Sequence, residues 1–380
     1  MPRRPQGARC LTFTTRPFTP DQQSSLAQTQ PRYEPARLPV RLTHVNDDAV
    51  SLVIPGRNCA ATIRQCLEAV VPLLEDDTSP LSEIIFVNDG STDETAGIVS
   101  EYPVHCLAGT GRGPGAARNL GWRAAKGHLV WFVDADCVAE PDALSLLLPH
   151  MSDPKVGGVG GSYGTMTADN LLSCLIHEEI VERHRVMGSR VNFLATFNVL
   201  YRRSILERIG GFDERYLKAQ DAELSFRVMG AGYELRFEFG SRVRHYHPTR
   251  WRSYLRTQRG QGYWRVWLHL SHHGHATGDS YSSLGDHAQP PLAMLTLLCV
   301  VVAAVFHALG RPEAWWAVLA PAAILAALQW PMTLRLLRRM RQGRYLCYAA
   351  MGFLRAFWRG IGMTQGLVGY LLRKDRSERC

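Results

Sequence analysis

Asp134-Ala135-Asp136 places two carboxylates two residues apart, directly after the apolar run LVWFV. A strand that ends this way sends both carboxylates out at the sheet edge, on the same side of the chain. Hard oxygen ligands in that position suit Mg2+ or Mn2+ held between the protein and a diphosphate. There a cation would neutralise the charge that develops on a departing nucleoside diphosphate. A lone Asp-x-Asp is more often a solvated acidic turn, so its surroundings carry the argument. EIIFV runs into Asn88-Asp89-Gly90-Ser91, where Asp89 offers acceptors to a base or ribose and Gly90 permits a tight turn. VSLVI runs into Pro55-Gly56-Arg57-Asn58 in the same manner. Each alone reads as a turn or a helix cap, but three strand ends with such groups together are far less expected by chance.

The segments between these runs have helical spacing: TIRQCLEAVVPLL, STDETAGIVSEY with Ser91 as an N-cap candidate, and AARNLGWRAA. Repeated strand–helix units imply an α/β fold, with a mostly parallel sheet covered by helices on both faces. Ligands bind such a sheet at the carboxyl ends of its strands, where all three polar motifs fall. The turn Gly111-Arg112-Gly113-Pro114-Gly115-Ala116 imitates a dinucleotide fingerprint. Pro114 interrupts that pattern and the unit is third in order rather than first, so a nicotinamide or flavin enzyme is disfavoured.

VSLVIPGRNCAATIRQCLEAV, EIIFVNDGSTDETAGIV and GPGAARNLGWRAAKGHLVWFVDADC resemble the family 2 glycosyltransferases of the GT-A fold. The resemblance continues through NVLYRRSILERIGGFDE and QDAELSFRVMGAGY and covers roughly residues 50 to 250. It implies a nucleotide-diphosphate sugar donor, a divalent metal (Mg2+ or Mn2+) and inversion at the anomeric carbon. By position it makes Pro55, Asn58, Asp89 and Arg118 nucleotide-side residues, Asp134 a ribose contact and Asp136 the metal ligand. Asp221 falls where the family places its general base, the carboxylate that takes the proton of the attacking acceptor hydroxyl. The helix AELSFRVMGAG sets Asp221 near a helix N-terminus, which favours the ionised form. Gln220 replaces the family's usual acidic neighbour, leaving one carboxylate where two are common. The resemblance also makes His245, in Val243-Arg244-His245-Tyr246-His247, a candidate for the metal or diphosphate, against a buried structural histidine as the competing reading. Arg202, Arg203 and Arg227 are either phosphate contacts or, more commonly for isolated arginines, structural ion pairs. Residues 157–170 read as a loop that shapes the sugar pocket.

The formal charge is +9 over 380 residues, concentrated at Arg242–Arg265 and Arg335–Arg344. No aromatic-and-basic nucleic-acid module accompanies it, so phosphate-bearing substrates and a membrane surface are the expected partners and nucleic acid is not. The nine cysteines are scattered without a CxxC pair and read as reduced thiols. PPLAMLTLLCVVVAAVFHALG and AWWAVLAPAAILAALQWPMTL are each roughly 20 apolar residues, enough to cross a bilayer. LRLLRRMRQGR follows, and a basic cluster of that density stays cytoplasmic, taking the catalytic domain with it across an even number of crossings. The expected organisation is a flexible leader over 1–45, a GT-A domain over 46–250 and an interfacial linker over 251–289. Two transmembrane helices over 290–336 and a basic segment with an amphipathic helix over 337–380 follow. Arg355 and Arg359 lie one turn apart in that last helix. The cluster His269, His272, His273 and His275 reads as solvated linker. Gln261-Gly262-Tyr263-Trp264-Arg265 reverses the last pair of the QxxRW string of membrane polysaccharide synthases.

The expected activity is therefore inverting transfer of a single sugar to an acceptor hydroxyl at the cytoplasmic membrane face, the acceptor being a lipid-linked or cell-envelope glycan. A processive synthase and a catalytically silent nucleotide-binding scaffold are the alternatives.

Overall fold

Val50, Leu52 and Ile54 enter one buried cluster and Val53 enters another on the opposite side. The strand they form, β1 (Val50–Gly56), is thus covered on both faces. The structure, a computed structural model, describes residues 49–165, 169–272 and 279–377. The leader over 1–45 and the residues His273 and His275 lie outside the described residues.

Helix α1 (Ile63–Glu75) buries Ile63, Cys66, Leu67 and Val70, the spacing of a single helical stripe. β2 (Leu81–Asn88), α2 (Thr95–Val99), β3 (His105–Ala108), α3 (Pro114–Ala124) and β4 (Leu129–Val133) follow. The sequence implies this series of strand–helix units, and β3, β2, β1 and β4 lie side by side, all parallel. Gly113 (φ 104°) precedes Pro114 at the start of α3, and that backbone conformation favours glycine. Gly121 lets α3 lie close on the sheet, since a Cβ there would stand 2.3 Å from Val53.

Beyond β4 the sheet changes character. β5 (Cys137–Ala139), α4 (Ala143–Leu147), β6 (Val156–Thr165), α5 (Leu171–Arg185), β7 (Arg190–Val191), β8 (Asn198–Arg202), α6 (Arg203–Ile209), α7 (Gln220–Gly230) and β9 (Glu234–His245) complete it. The order is β3-β2-β1-β4-β8-β6-β9-β5, with β7 also on β9. β8 runs antiparallel to both β4 and β6, while β6 and β9 are parallel. The sheet is mixed rather than parallel throughout. Residues 157–165, read as part of a loop, lie in this β6 strand. Its glycines admit neighbouring side chains: a Cβ on Gly158 would lie 2.5 Å from the Tyr201 ring, and one on Gly161 2.2 Å from Asn198.

The helical region begins with α8 (Trp251–Ser271) and continues with α9 (Leu284–Ala308), α10 (Trp316–Ala327), α11 (Trp330–Met340) and α12 (Cys347–Ser377). α9 starts ahead of its apolar run, because Ser283 and Asp286 form a reciprocal capping box. Leu284–Ala308 and Pro312–Met340 are long and apolar enough to cross a membrane. Their outward faces carry bare Leu298, Val301, Val305, Trp316, Leu319 and Ile324. Both ends of this hairpin tie to α5. Arg183 donates to both oxygens of Asp286 at 2.7 Å, and Arg339 pairs with Glu178 and Glu182.

α12 turns its arginines into the protein. Arg355 is 3% exposed and donates to Glu179 (2.5 Å) and the Tyr348 hydroxyl (2.9 Å). Arg359 donates to Gln258 and Gln261 of α8. α8 and α12 meet backbone to backbone. A Cβ on Gly262 would stand 2.1 Å from the Arg359 carbonyl oxygen, and one on Gly362 would stand 1.9 Å from that of Arg259.

Candidate active site

The parallel strands β1, β2 and β4 end at one sheet edge, and the polar residues at their ends are built into one another. Asn58, left-handed at φ 51°, accepts from Thr92 N (2.8 Å) on its side-chain oxygen. Its backbone N–H donates to the Ser91 hydroxyl (2.9 Å). Ser91 is therefore occupied here, and the N-cap of α2 is Glu94, without a side-chain bond. Pro55 lies in β1 and pairs with Val87. Asp89 is 4% exposed, accepting from Gly111 N (2.8 Å) and Gly113 N (2.9 Å) on its two oxygens. The carboxylate thus holds the glycine-rich turn in place, a bond set that the sequence reading did not foresee.

Arg118 sits on α3 with its side chain 4% exposed and donates from Nη2 to Asp134 Oδ1 at 2.5 Å. Its Nε and Nη1 are buried without a hydrogen-bond partner among the described residues, a costly state for a buried cation. Asp136, half exposed, lies across from His245, with Oδ2 and Nε2 3.3 Å apart. Burial alone would raise the Asp136 pKa, but the His245 hydrogen bond and charge outweigh it and hold the carboxyl below its usual range. These two residues and Cys137 bring one potential ligand atom each within 4.8 Å of one another. Burial pushes the Cys137 thiol well above its ordinary range, so it remains a neutral thiol beside an oxygen–nitrogen pair.

His245 closes β9, which reaches the site because β5 pairs with it and sets Cys137 opposite His245. Behind it, His245 Nδ1 is 3.2 Å from His247 Nδ1, and His247 Nε2 is 3.2 Å from His177 Nδ1 on α5. Tyr163 packs over this row, 5.0 Å from His245 and 5.7 Å from His247 between ring centroids. Burial holds His247 down to about 2 and His177 to about 4, so both rings are neutral near pH 7. The sequence singled out His245 but missed His247 and His177 as its partners. The only available cue was the i, i+2 spacing of 245 and 247 at a strand end.

Asp221 lies at the second position of α7, after Ala219 in a left-handed conformation (φ 61°). It does not cap the helix. Burial raises its pKa; the Ala222 N–H and the charges of Arg118 and Arg265 only partly offset this. The expected bias of a helix N-terminus toward the ionised form is thus overridden by desolvation, which leaves a more basic carboxylate. Neighbouring Gln220 is buried, with its side-chain oxygen unpartnered among the described residues.

Arg202, Arg203 and Arg227 serve the fold. Arg202 donates to the carbonyls of Met151, Asp153 and Val156, Arg203 to that of Ala125, and Arg227 to Glu223 and the carbonyls of Ile209 and Gly211. Arg265, in the string around Gln261, is tied to Asp279 and Ser282. His272 approaches Glu223 at 3.5 Å.

The sequence model of Glycosyl transferase family 2 matches residues 51–210. The "Probable glycosyltransferase YdaM" of Bacillus subtilis is 34% identical over 224 residues, 54% of this chain and 53% of that protein. The pre-mycofactocin glycosyltransferase of Mycobacterium tuberculosis is 28% identical over 226 residues, 54% of this chain and 44% of that one. The chain thus spans about half the length of these curated relatives. Among solved structures, the mannosyltransferase PcManGT of Pyrobaculum calidifontis, in complex with GDP-Man and Mn2+, superposes with a TM-score of 0.53 at 21% identity. That likeness covers 84% of this chain and 86% of the other, so it extends beyond the sheet domain. Residues 51–210 thus match the Glycosyl transferase family 2 model, in a chain with the GT-A fold that continues into two helices long and apolar enough to span a membrane.

Proposed function

We propose that this protein is an inverting glycosyltransferase that moves a single sugar from a nucleotide-diphosphate sugar to an acceptor hydroxyl at the cytoplasmic face of a membrane. One observation carries the reading: Asp136 with His245, and Arg118 with Asp134, meet at one sheet edge, brought there by the turn after β4, by β9 and by α3. Asp136 and His245 would hold Mg2+ or Mn2+. The donor set fits, because a half-exposed carboxylate and an imidazole are ligands these ions accept, with the solvent side left for diphosphate oxygens. A cation there would neutralise charge on the departing diphosphate. The unmet donors of Arg118 suit ribose or diphosphate oxygens. Pro55, Asn58, Asp89 and Asp134 frame the nucleotide side. Asp221 takes the acceptor proton, and its raised pKa strengthens it as a base.

The membrane-bound reading rests on the hairpin, whose two ends both return to α5 and whose basic end bears Arg338, Arg339 and Arg341. An enzyme held this way would meet an acceptor in or at the bilayer, such as a lipid-linked or cell-envelope glycan. A relative at 25% identity is a poly-beta-1,6-N-acetyl-D-glucosamine synthase of Staphylococcus epidermidis, so product length is the observation that separates single transfer from processive synthesis.

Calorimetric titration of UDP, GDP and TDP with Mn2+ into the detergent-purified full chain tests the donor site. The reading expects metal-dependent binding of one nucleotide and its loss in Asp136→Asn. Binding to none of them by folded protein would overturn it. Binding without turnover over a broad acceptor panel would favour a silent scaffold.

A further inference from the structure

The three imidazoles of His245, His247 and His177 form a continuous row from the candidate metal site to α5, each joined to the next by a nitrogen pair at 3.2 Å. His247 is 4% and His177 is 7% exposed, so their ring nitrogens have the protein as their main source of partners. A neutral imidazole carries one N–H and one lone pair, so the role of any one nitrogen fixes the rest.

From this row we infer that His247 and His177 are positioning residues, which fix the tautomer and ring angle in which His245 offers Nε2 to a divalent cation. This rests on the assignment of Asp136 and His245 to that cation. With the Nε2 lone pair of His245 on the cation, its proton sits on Nδ1 and is donated to Nδ1 of His247. His247 then carries its proton on Nε2 and donates it to Nδ1 of His177, whose own proton lies on Nε2. Every hydrogen bond in the row has one donor and one acceptor, and no group needs to be charged. The packing reinforces the order. Tyr163 lies over His245 and His247 and stacks on Phe197 at 3.5 Å, and Ser173 of α5 donates to the His247 carbonyl. The last histidine belongs to the helix that fastens both ends of the apolar hairpin, so ligand geometry and helix placement share one hydrogen-bonded row.

The test uses the full chain in detergent, with the nucleotide that the calorimetry selects. Mn2+ affinity, followed by the loss of the free-ion paramagnetic signal, is expected to weaken about 10- to 100-fold in His247→Leu, the usual effect of removing an outer partner of a ligating histidine. His247→Asn places an amide oxygen where the ring Nδ1 stood, accepts from His245, and is expected to restore affinity to within about threefold of wild type. Selective nitrogen-15 labelling of histidine, with diamagnetic Mg2+ in place of Mn2+, should show His245 protonated on Nδ1 and both His247 and His177 protonated on Nε2. Wild-type affinity in a folded His247→Leu variant overturns the inference, as does an unprotonated Nδ1 on His245 in the loaded protein. Wild-type protein that binds no Mn2+ removes the metal assignment beneath it as well. Loss of affinity in Asp136→Asn, with none in His247→Leu, leaves the metal assignment standing and removes only the positioning role.

Discussion

Glu179 on α5 is the joint between the sheet domain and the last helix, and its removal makes a sharp prediction. Its carboxylate is buried and accepts from Arg183 (Nε 3.1 Å, Nη2 2.8 Å) and from Arg355 (Nη1 2.5 Å). After Glu179→Ala, Arg183 still donates to both oxygens of Asp286, but Arg355 keeps the neutral Tyr348 hydroxyl and no carboxylate among the described residues. A buried guanidinium then lacks a counter-charge, a defect that costs about 3–5 kcal/mol. Arg355→Met leaves Glu179 with two bonds from Arg183 and should cost about 1.5–3 kcal/mol, the loss of one charged hydrogen bond. Glu179→Leu with Arg355→Met removes both charges and should be more stable than Glu179→Ala alone. At about 2 °C per kcal/mol for a unit of this size, Glu179→Ala should lower the unfolding midpoint in detergent by roughly 6–10 °C. Equal midpoints for Glu179→Ala and Arg355→Met would refute the reasoning. The pH dependence gives a second check. Desolvation opposes ionisation of Glu179, but Arg355 and Arg183 outweigh it and hold the pKa at about 2. Its folded pKa thus lies below the unfolded value of about 4.3, so the stabilisation is complete above that pH and lost as pH falls toward 2.

Asp221→Asn should reduce turnover by about 10²- to 10⁴-fold while nucleotide binding survives, measured by single-turnover transfer and calorimetry. Because burial raises the Asp221 pKa in the folded chain, its ionisation opposes folding at neutral pH. The same variant should therefore melt higher than wild type at pH 7 and lose that advantage below about pH 4. Gly262→Leu would place a side chain on the Arg359 carbonyl, and overpacking of that kind costs about 1–3 kcal/mol or more, visible as a lower unfolding midpoint. Asp89→Ala removes the acceptor of the Gly111 and Gly113 N–H groups and should weaken nucleotide binding by loosening that turn, read by calorimetry.

The parallel half of the fold was legible because apolar runs such as LVWFV end abruptly in polar residues, and every residue of β4 is buried. The second half was not. Residues 157–165 read as loop, yet their glycines are what let Tyr201 and Asn198 pack against the strand. The reversal at β8 depends on pairing across the chain, which no local pattern encodes. Within the candidate site, the acids were visible one by one at strand ends. The bond from Arg118 to Asp134 and the row from His245 to His177 join distant segments, and only the folded sheet brings them together. Arg355 and Arg359 look like one polar stripe of a surface helix. Their partners Glu179 and Gln258 come from α5 and α8, so spacing alone could not show that the stripe faces inward.

The close meeting of α8 and α12 also has a consequence in time. Gln258 and Arg359, partners across that contact, are 101 residues apart in the chain, with the apolar hairpin between them. At roughly 5–20 residues per second, a ribosome needs about 5–20 s to supply the second helix after the first. For that interval the face of α8 that carries Gly262 has no cover, and the apolar hairpin must be made before the domain ahead of it can close. Expression of residues 49–272 alone, a common route to a tractable catalytic fragment, would make that open interval permanent.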